Sequence, residues 1–339
     1  MKKIKDGDSN PIISIIIPFY NTPLYKLDRC LKSILCNTKV KFEIILVDDG
    51  SHYKNFIEIY RLTKNHSEIH LIRHKKNQGL YSARITALKQ IKGKYFGFVD
   101  SDDYISKNYF NKLVQYAEDN DADVAVGQIV LECENGYRYI QNKCFEYPYG
   151  YKNINAYEAF WKQEGRCYSF HVIWNKIYNT KIWKLHEKFL SDNSVHFVMT
   201  EDFVFSAVFL SKINKIINVP NATYYYVQSS ESVIGEKKYK SYLKNIKDMK
   251  VAFTLAEKFL KYSNLYCVYK NNFIEWKNRY ARYWTRNIIQ VNFSTKKKDK
   301  CIKVLADTFG EENIKLPYPE DDEYYNVSSD FKEKCEVKK

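Results

Sequence analysis

No stretch of the 339-residue chain approaches the roughly 18 apolar residues of a membrane-spanning helix. A helical span is excluded, and any contact with a bilayer is peripheral. The first apolar run is short and follows a polar, Lys-rich leader rather than a secretory signal, so a reducing cytoplasm is expected. None of the eight cysteines (Cys30, Cys36, Cys133, Cys144, Cys167, Cys267, Cys301 and Cys335) forms a C-x-x-C pair, and no Cys/His cluster has zinc-finger spacing. The thiols are expected to be free and mostly structural. There is no G-x-G-x-x-G after the first apolar run and no G-x-x-x-x-G-K-[ST] anywhere, which weighs against nicotinamide enzymes and P-loop kinases. No internal repeat is visible.

Tyrosine and positive charge, by contrast, are plentiful. Aromatic residues make up 16%, with 30 Tyr, and Tyr suits surfaces that bind sugars, polar interfaces or a membrane boundary. The formal net charge of +14 attracts anions: nucleic acid, anionic lipid or phosphorylated small molecules. Much of that charge is scattered Lys, which ordinarily forms a solvated surface.

From Ile12 to Val130 apolar β-branched runs alternate with segments of helical spacing. Strands are read at Ile12–Ile17, Phe42–Val47, Ile69–Arg73, Tyr95–Val99 and Asp123–Val130, with helices between them. The strands are too apolar to have a wet face, so an α/β fold follows, with a mainly parallel sheet covered on both sides. Ligands of such sheets bind beyond the carboxyl ends of the strands. Tyr20-Asn21, Asp48-Asp49 and Asp100 to Asp103 stand at three of those ends and are expected to converge on one crevice.

After Val130 the pattern loosens. Tyr137–Phe145 reads as a hairpin arm, Trp174–Trp183 and Met199–Ser211 as short buried helices, and Ile216–Val219 and Thr223–Gln228 as two strands. From about Gly235, Tyr239, Leu243, Ile246, Met249 and Phe253 lie at helical spacing, as do Phe273, Trp276, Tyr280, Trp284 and Ile288. The expected organisation is a leader (1–10), a catalytic domain (11–234, with halves 11–104 and 105–234) and a helical basic and aromatic module (235–339). Lys296-Lys297-Lys298 is expected to mark a loop, and the acidic stretch 320–323 a mobile tail.

Alternate carboxylates in Asp100-Ser101-Asp102-Asp103 suit a hard cation, Mg2+ or Mn2+, shared with substrate phosphates. Alone, such a run is more often a helix cap. A carboxylate of Asp48-Asp49 can accept from a base N–H or a ribose hydroxyl, and Arg84 can fork onto a diphosphate. The ordinary explanations are a tight turn and a surface ion pair. Glu201-Asp202 after Thr200 has the form of a capped helix start. Trp174 stacks on a sugar or sits in the core, and His171 and His196 are set aside as structural.

In combination, ISIIIPFYN, FEIILVDDGS, N77-x-G79-x-x-x-A83-R84 and FVDSDD resemble, in order and spacing over 12–104, the family 2 inverting glycosyltransferases of GT-A fold. Thr200-Glu201-Asp202-Phe203 and Trp174-Asn175-Lys176 resemble two further segments of that family, so the likeness extends over roughly the first 230 residues. The resemblance implies that Pro18, Tyr20, Asp48, Asp49, Arg84 and Ser101 line the nucleotide site. Asp100 would face the ribose and share the metal with Asp102, which holds it on the diphosphate. Glu201-Asp202 would supply the base, with Asp202 preferred. Two departures stand out. Arg84-Ile85-Thr86 replaces Arg-Asn-x-Gly, and Val227-Gln228-Ser229 replaces an Arg or His before Ser, leaving Gln228 or Ser232 in that place.

The implied function is metal-dependent inverting transfer of a hexosyl or N-acetylhexosaminyl group, from a nucleotide-diphosphate donor (UDP by resemblance) to a hydroxyl of a glycan or lipid-linked acceptor. A bacterial surface polysaccharide is the expected product class. The inner membrane surface and a second copy of the chain are the other partners considered, and nucleic acid is not expected. Two alternatives stand beside this reading. A sugar nucleotidylyltransferase would carry a glycine-rich Arg/Lys loop where PFYN stands. A non-catalytic basic module binding membrane or nucleic acid leaves carboxylates at three strand ends unexplained.

Overall fold

The computed structural model describes residues 10–133, 135–140, 151–152, 154–162, 168–193, 195–228 and 238–315. Most of the leader, Ser232 and the acidic tail lie outside the described residues. β1 (Ile13–Phe19), β2 (Phe42–Asp48), β3 (Ile69–Arg73) and β4 (Tyr95–Phe98) pair in parallel in the order β3-β2-β1-β4. Every residue of β1 is buried, as its Ile-rich run requires of a strand covered on both faces. Among the helices between the strands, α1 (Leu24–Leu35) buries Leu27, Cys30, Leu31 and Ile34, one stripe at helical spacing. α2 (Tyr53–Thr63) packs beside α1, and α3 (Leu80–Leu88) packs on β1 and β2.

Beyond β4 the sheet becomes mixed. After β5 (Tyr104–Ile105) and α4 (Tyr109–Asn120) comes β6 (Val124–Cys133), and β7 (Arg138–Ile140) folds back on it as the expected hairpin arm. β8 (Tyr151–Lys152), α5 (Ile154–Lys162) and α6 (Tyr168–His171) lead to β9 (Lys176–Asn179). β9 runs antiparallel between β4 and β6, so β6 points the same way as the first four strands. The single helix expected over Trp174–Trp183 is therefore corrected to a strand followed by α7 (Thr180–Asp192). Lys176-Ile177-Tyr178 bridges β4 and β6, and the Asn179 side chain caps α7 by accepting from the Lys181 amide, so helix starts only there.

α8 (Glu201–Phe209) and a turn of 3-10 helix occupy the expected Met199–Ser211. The two strands expected over 216–228 are one, β10 (Lys215–Gln228), parallel to β6. Its register shifts between Asn218 and Thr223, where Pro220 has no N–H and Asn221 takes φ 59°. The sequence gap between the two runs is a bulge.

α9 (Tyr239–Tyr262), α10 (Tyr266–Gln290), α11 (Thr295–Phe309) and α12 (Glu311–Lys315) pack on one another, and α9 packs on α8. Lys296-Lys297-Lys298 lies in the first turn of α11, not in a loop, because the amides of Lys297 and Lys298 donate to Ser294 O. One continuous core joins these helices to the sheet, with Phe203 of α8 against Phe253 and Trp276 at centroid distances of 4.9 and 4.7 Å. Cys30, Cys36, Cys267 and Cys301 are free, as expected, whereas Cys133 at the end of β6 is disulfide-bonded, against the expectation of free thiols. Among the described residues no helix is long and apolar enough to cross a membrane.

Candidate active site

The carboxyl ends of β1, β2, β4 and β6 share one edge of the sheet, and the polar clusters read from the sequence meet there. Pro18 is buried within β1, and Tyr20, just past its end, is half exposed. Asp48 and Asp49 are both buried. The Asp48 carboxylate accepts from the Ser51 amide at 2.8 Å, and Arg73 Nε stands 3.3 Å from its other oxygen. Asp49 accepts from the amides of Gln78 and Gly79, each at 2.8 Å, and its Oδ1 lies 2.7 Å from His74 Nδ1. Asp49 thus holds the 77–79 loop that opens α3 rather than facing the crevice with a free carboxylate. Glycine is required at both contact points of that loop. Gly50 (φ 76°) and Gly79 (φ 88°) have left-handed backbones, and a Cβ would come within 2.6 Å of the Asn77 amide nitrogen or 2.7 Å of Phe197 O.

The end of β4 carries four polar residues in distinct environments. Ser101 Oγ shares a 2.7 Å hydrogen bond with Thr22 Oγ1, tying the β4 end to the β1 end. Asp103 is wholly buried. It accepts from the Tyr224 hydroxyl at 2.8 Å and from the Val227 amide at 2.8 Å, and so anchors the end of β10. Burial and then the neighbouring Asp102 and Asp100 push its carboxyl well above the usual range. Asp102 is raised by burial and then by Asp100. No cation lies within ion-pair distance of the Asp102 carboxylate among the described residues, although the Arg29 guanidinium donates to its backbone oxygen. Asp100 uses Oδ1 on Arg84 and is likewise raised by burial, against the pull of that cation.

Arg84 links the two halves of the site. Its Nη2 donates to Asp100 Oδ1 at 2.8 Å, and its Nη1 to Glu201 Oε1 at 2.7 Å and Asp202 Oδ1 at 2.5 Å. The sequence reading has Arg84 lining the nucleotide site. The structure buries it completely, with its donors turned to three carboxylates. Burial alone would favour the neutral guanidine. Asp202, Asp100 and Glu201 outweigh it and hold the cation. Three carboxylates against one cation leave negative charge uncompensated. Burial, followed by Asp202, pushes Glu201 well above the usual range.

Glu201 and Asp202 open α8 as expected, but Thr200 makes no side-chain cap; it takes a left-handed φ of 72°. The Asp202 side chain is 16% exposed and that of Glu201 8%. Beside the Asp100–Asp103 loop a cavity of about 420 Å³ is lined by Lys26, Arg29, Glu132 and Val227 among others. Trp174 is a core residue, its ring 4.4 Å from that of Tyr224 and 5.3 Å from that of Tyr226. Desolvation lowers the pKa of the half-buried His171 to about 4, and His196 is exposed.

The sequence profile of glycosyl transferase family 2 matches residues 14–183, half of the chain. The chain belongs to that family. EpsJ of Bacillus subtilis (strain 168), an uncharacterized glycosyltransferase, is 40% identical over 114 residues, 34% of this chain and 33% of that protein. The glycosyltransferase GlyA of Streptococcus pneumoniae serotype 4 is 32% identical over 179 residues, 51% of this chain and 25% of its own length. The chain thus spans a third or less of these two relatives. GlyG of the same organism is 27% identical over 233 residues, 66% of this chain and 73% of GlyG. In fold the chain is similar to residues 1–349 of S. aureus TarS, solved in complex with UDP-GlcNAc. The TM-score is 0.53 with 19% identity, covering 88% of this chain and 90% of that one.

The family 2 match ends before α8. Asp100 and Asp102 lie within it and Glu201 and Asp202 beyond it, and Arg84 brings Asp100 together with the latter pair. Asp103 was read from the sequence only as part of the Asp100–Asp103 run, and Tyr224 was given no role. A wholly buried third carboxylate was the missing signal, and burial is not legible in an acidic run. Gln228, the residue in place of the usual Arg or His, ends β10 beside Cys133.

Proposed function

We propose that the protein is a metal-dependent inverting glycosyltransferase that moves a sugar from a nucleotide-diphosphate donor, UDP-linked, onto a hydroxyl of a glycan or lipid-linked acceptor. The observation that carries this reading is the Arg84 cluster. One guanidinium holds a carboxylate at the donor-side strand end, Asp100, within reach of the two at the start of α8. Inverting transfer needs one base for the acceptor hydroxyl and stabilisation of charge on the departing diphosphate, with no covalent nucleophile. Asp202 is the base. It is the more exposed of the pair, and its Oδ2 is left to accept a proton while Oδ1 is held by Arg84. Glu201, whose carboxyl is pushed up by burial and then by Asp202, shares the guanidinium.

Mg2+ or Mn2+ fits the chemistry of the β4 end. The Asp102 carboxylate and Asp100 Oδ2 are hard oxygen donors, and among the described residues no ion pair occupies the Asp102 carboxylate, the nearby Arg29 donating to its backbone oxygen. Among those residues no group of three or more His, Cys, Asp or Glu forms a cage, so a metal held by Asp102 and Asp100 would rely on substrate phosphate and water for its remaining ligands. When bound, the metal supplies charge neutralisation on the leaving diphosphate. Tyr20, with Pro18 behind it, offers a half-exposed ring at the β1 end for the base of the nucleotide. The net charge of +14 favours residence at the anionic inner membrane face, where lipid-linked acceptors lie.

Calorimetry with UDP, GDP, CMP and their sugars, with and without Mn2+, tests the donor site. Binding of one diphosphate nucleotide that strengthens with metal and is lost in Asp102→Ala supports the reading. An Asp102→Ala protein with full metal-dependent affinity removes the metal role, and no binding by the wild type removes the enzyme. Co-sedimentation with liposomes that is indifferent to anionic lipid removes the membrane site.

A further inference from the structure

The residues that deliver Asp202 to the site are anchored from the C-terminal helices. The backbone amides of Val198 and Met199 both donate to Asp248 Oδ2 on α9, at 3.0 and 3.3 Å. Asp248 is buried at 6% exposure, and Lys244 Nζ stands 3.7 Å away on the same helix. The segment from residue 195 to Thr200 has neither helix nor strand. Phe197 O accepts from the Tyr81 amide, the Phe197 ring stacks on Tyr81 at 4.7 Å, and Thr200 turns left-handed into α8 without a side-chain cap. The Asp248 carboxylate is the charged group that fixes this approach, through the two amides three and four residues before Asp202.

We propose that Asp248 is a positioning residue for the Glu201-Asp202 pair. A carboxylate accepting from two amides forms charge-assisted bonds, stronger than neutral ones. They set where the first turn of α8 begins, and therefore where Asp202 stands relative to Arg84 and the acceptor hydroxyl. The Asp100–Asp103 loop follows β4 and is held by Thr22, Tyr224, Arg29 and, through Asp100, Arg84, with no contact to Asp248 among the described residues. Loss of the anchor therefore acts first on the base and reaches the donor site only through the Arg84 bond to Asp100. The inference rests on the proposed function and adds that helices outside the family-matched residues set the geometry of catalysis.

Asp248→Ala and Asp248→Asn in the full chain test it, with three readouts. Amide exchange over residues 195–204 reports the anchor, nucleotide affinity by calorimetry reports the donor site, and kcat for nucleoside diphosphate release reports the base. Asp248→Ala is expected to speed exchange over 195–204 by about tenfold. It should lower kcat by about 10- to 100-fold, the range that misplacement of a reacting group by about 1 Å produces. Donor KM and nucleotide Kd should stay within about twofold. Asp248→Asn keeps an acceptor oxygen and is expected to restore most of kcat. Unchanged exchange in Asp248→Ala overturns the proposal, as does unchanged kcat. So does a loss of Kd and kcat together that Asn does not rescue, the pattern of general damage. If the wild type turns over no sugar nucleotide, the enzyme reading falls, and the exchange readout alone decides whether Asp248 holds the start of α8.

Discussion

Arg84 has the largest consequence of any single side chain here. Removing it leaves Asp100, Glu201 and Asp202 facing one another in a buried site, and breaking a buried ion pair costs about 3–5 kcal/mol. Arg84→Ala is therefore expected to lower the unfolding free energy from chemical denaturation by about that amount. Arg84→Lys, with a single ammonium, should hold one carboxylate and release another. Glu201 gives a second, signed expectation. Its folded pKa is raised, so the folded state holds a proton that the unfolded chain releases at lower pH. Stability from this group is present below the ordinary glutamate value, about 4.3, and is lost as pH rises through the folded pKa. Glu201→Gln lacks that slope and should gain on the wild type in thermal midpoint as pH rises above about 4.3. A constant difference between the two across pH would exclude the raised pKa. At this scale the run of alternate carboxylates pointed to Asp100 and Asp102 and the family resemblance to Glu201 and Asp202, and the structure brings Asp100, Glu201 and Asp202 to one guanidinium. The sequence was not legible in partner choice. Nothing in N77-x-G79-x-x-x-A83-R84 says that the guanidinium turns inward to carboxylates rather than outward to a phosphate.

Among the elements, those with strong periodicity are legible and those that need a distant partner are not. β1, β2 and β4 follow from uninterrupted apolar runs, and α9 and α10 from their aromatic spacing. β9 does not, because Lys176-Ile177-Tyr178 becomes a strand only by bridging β4 and β6. Pro220 and Asn221 interrupt the hydrophobic run of β10 while the strand continues past a bulge. The loop into α3 depends on a conformation that Cβ forbids. Gly79→Ala is expected to cost roughly 1–3 kcal/mol through its left-handed backbone and the approach to Phe197 O. It should also loosen the segment before α8, seen as faster exchange over 195–200. Wild-type exchange there would show that the loop accommodates the methyl group.

For the whole molecule, the helices after residue 238 complete the core instead of hanging from it. Phe203 lies among Phe253, Trp276 and Phe160, and burial of each large side chain contributes about 1.5–3 kcal/mol. A chain ending at residue 234 is expected to expose this aromatic surface and to aggregate, read by size-exclusion chromatography. A soluble monomer with native circular dichroism would contradict that. Composition pointed correctly to a helical C-terminal region, but it gave no means of seeing that α9 reaches back to the start of α8.

The shared guanidinium also bears on how such chains can be recombined. Position 84 and positions 201–202 are separated by more than a hundred residues, yet they form one ion-paired cluster. Any crossover falling between them would unite one parent's cation with the other parent's acids. Hybrids that exchange the front of the sheet for that of a relative should work only when both parents place an arginine and a pair of acids in register. Swaps meant to change the donor sugar must therefore carry α3 and the first turn of α8 as one inherited unit.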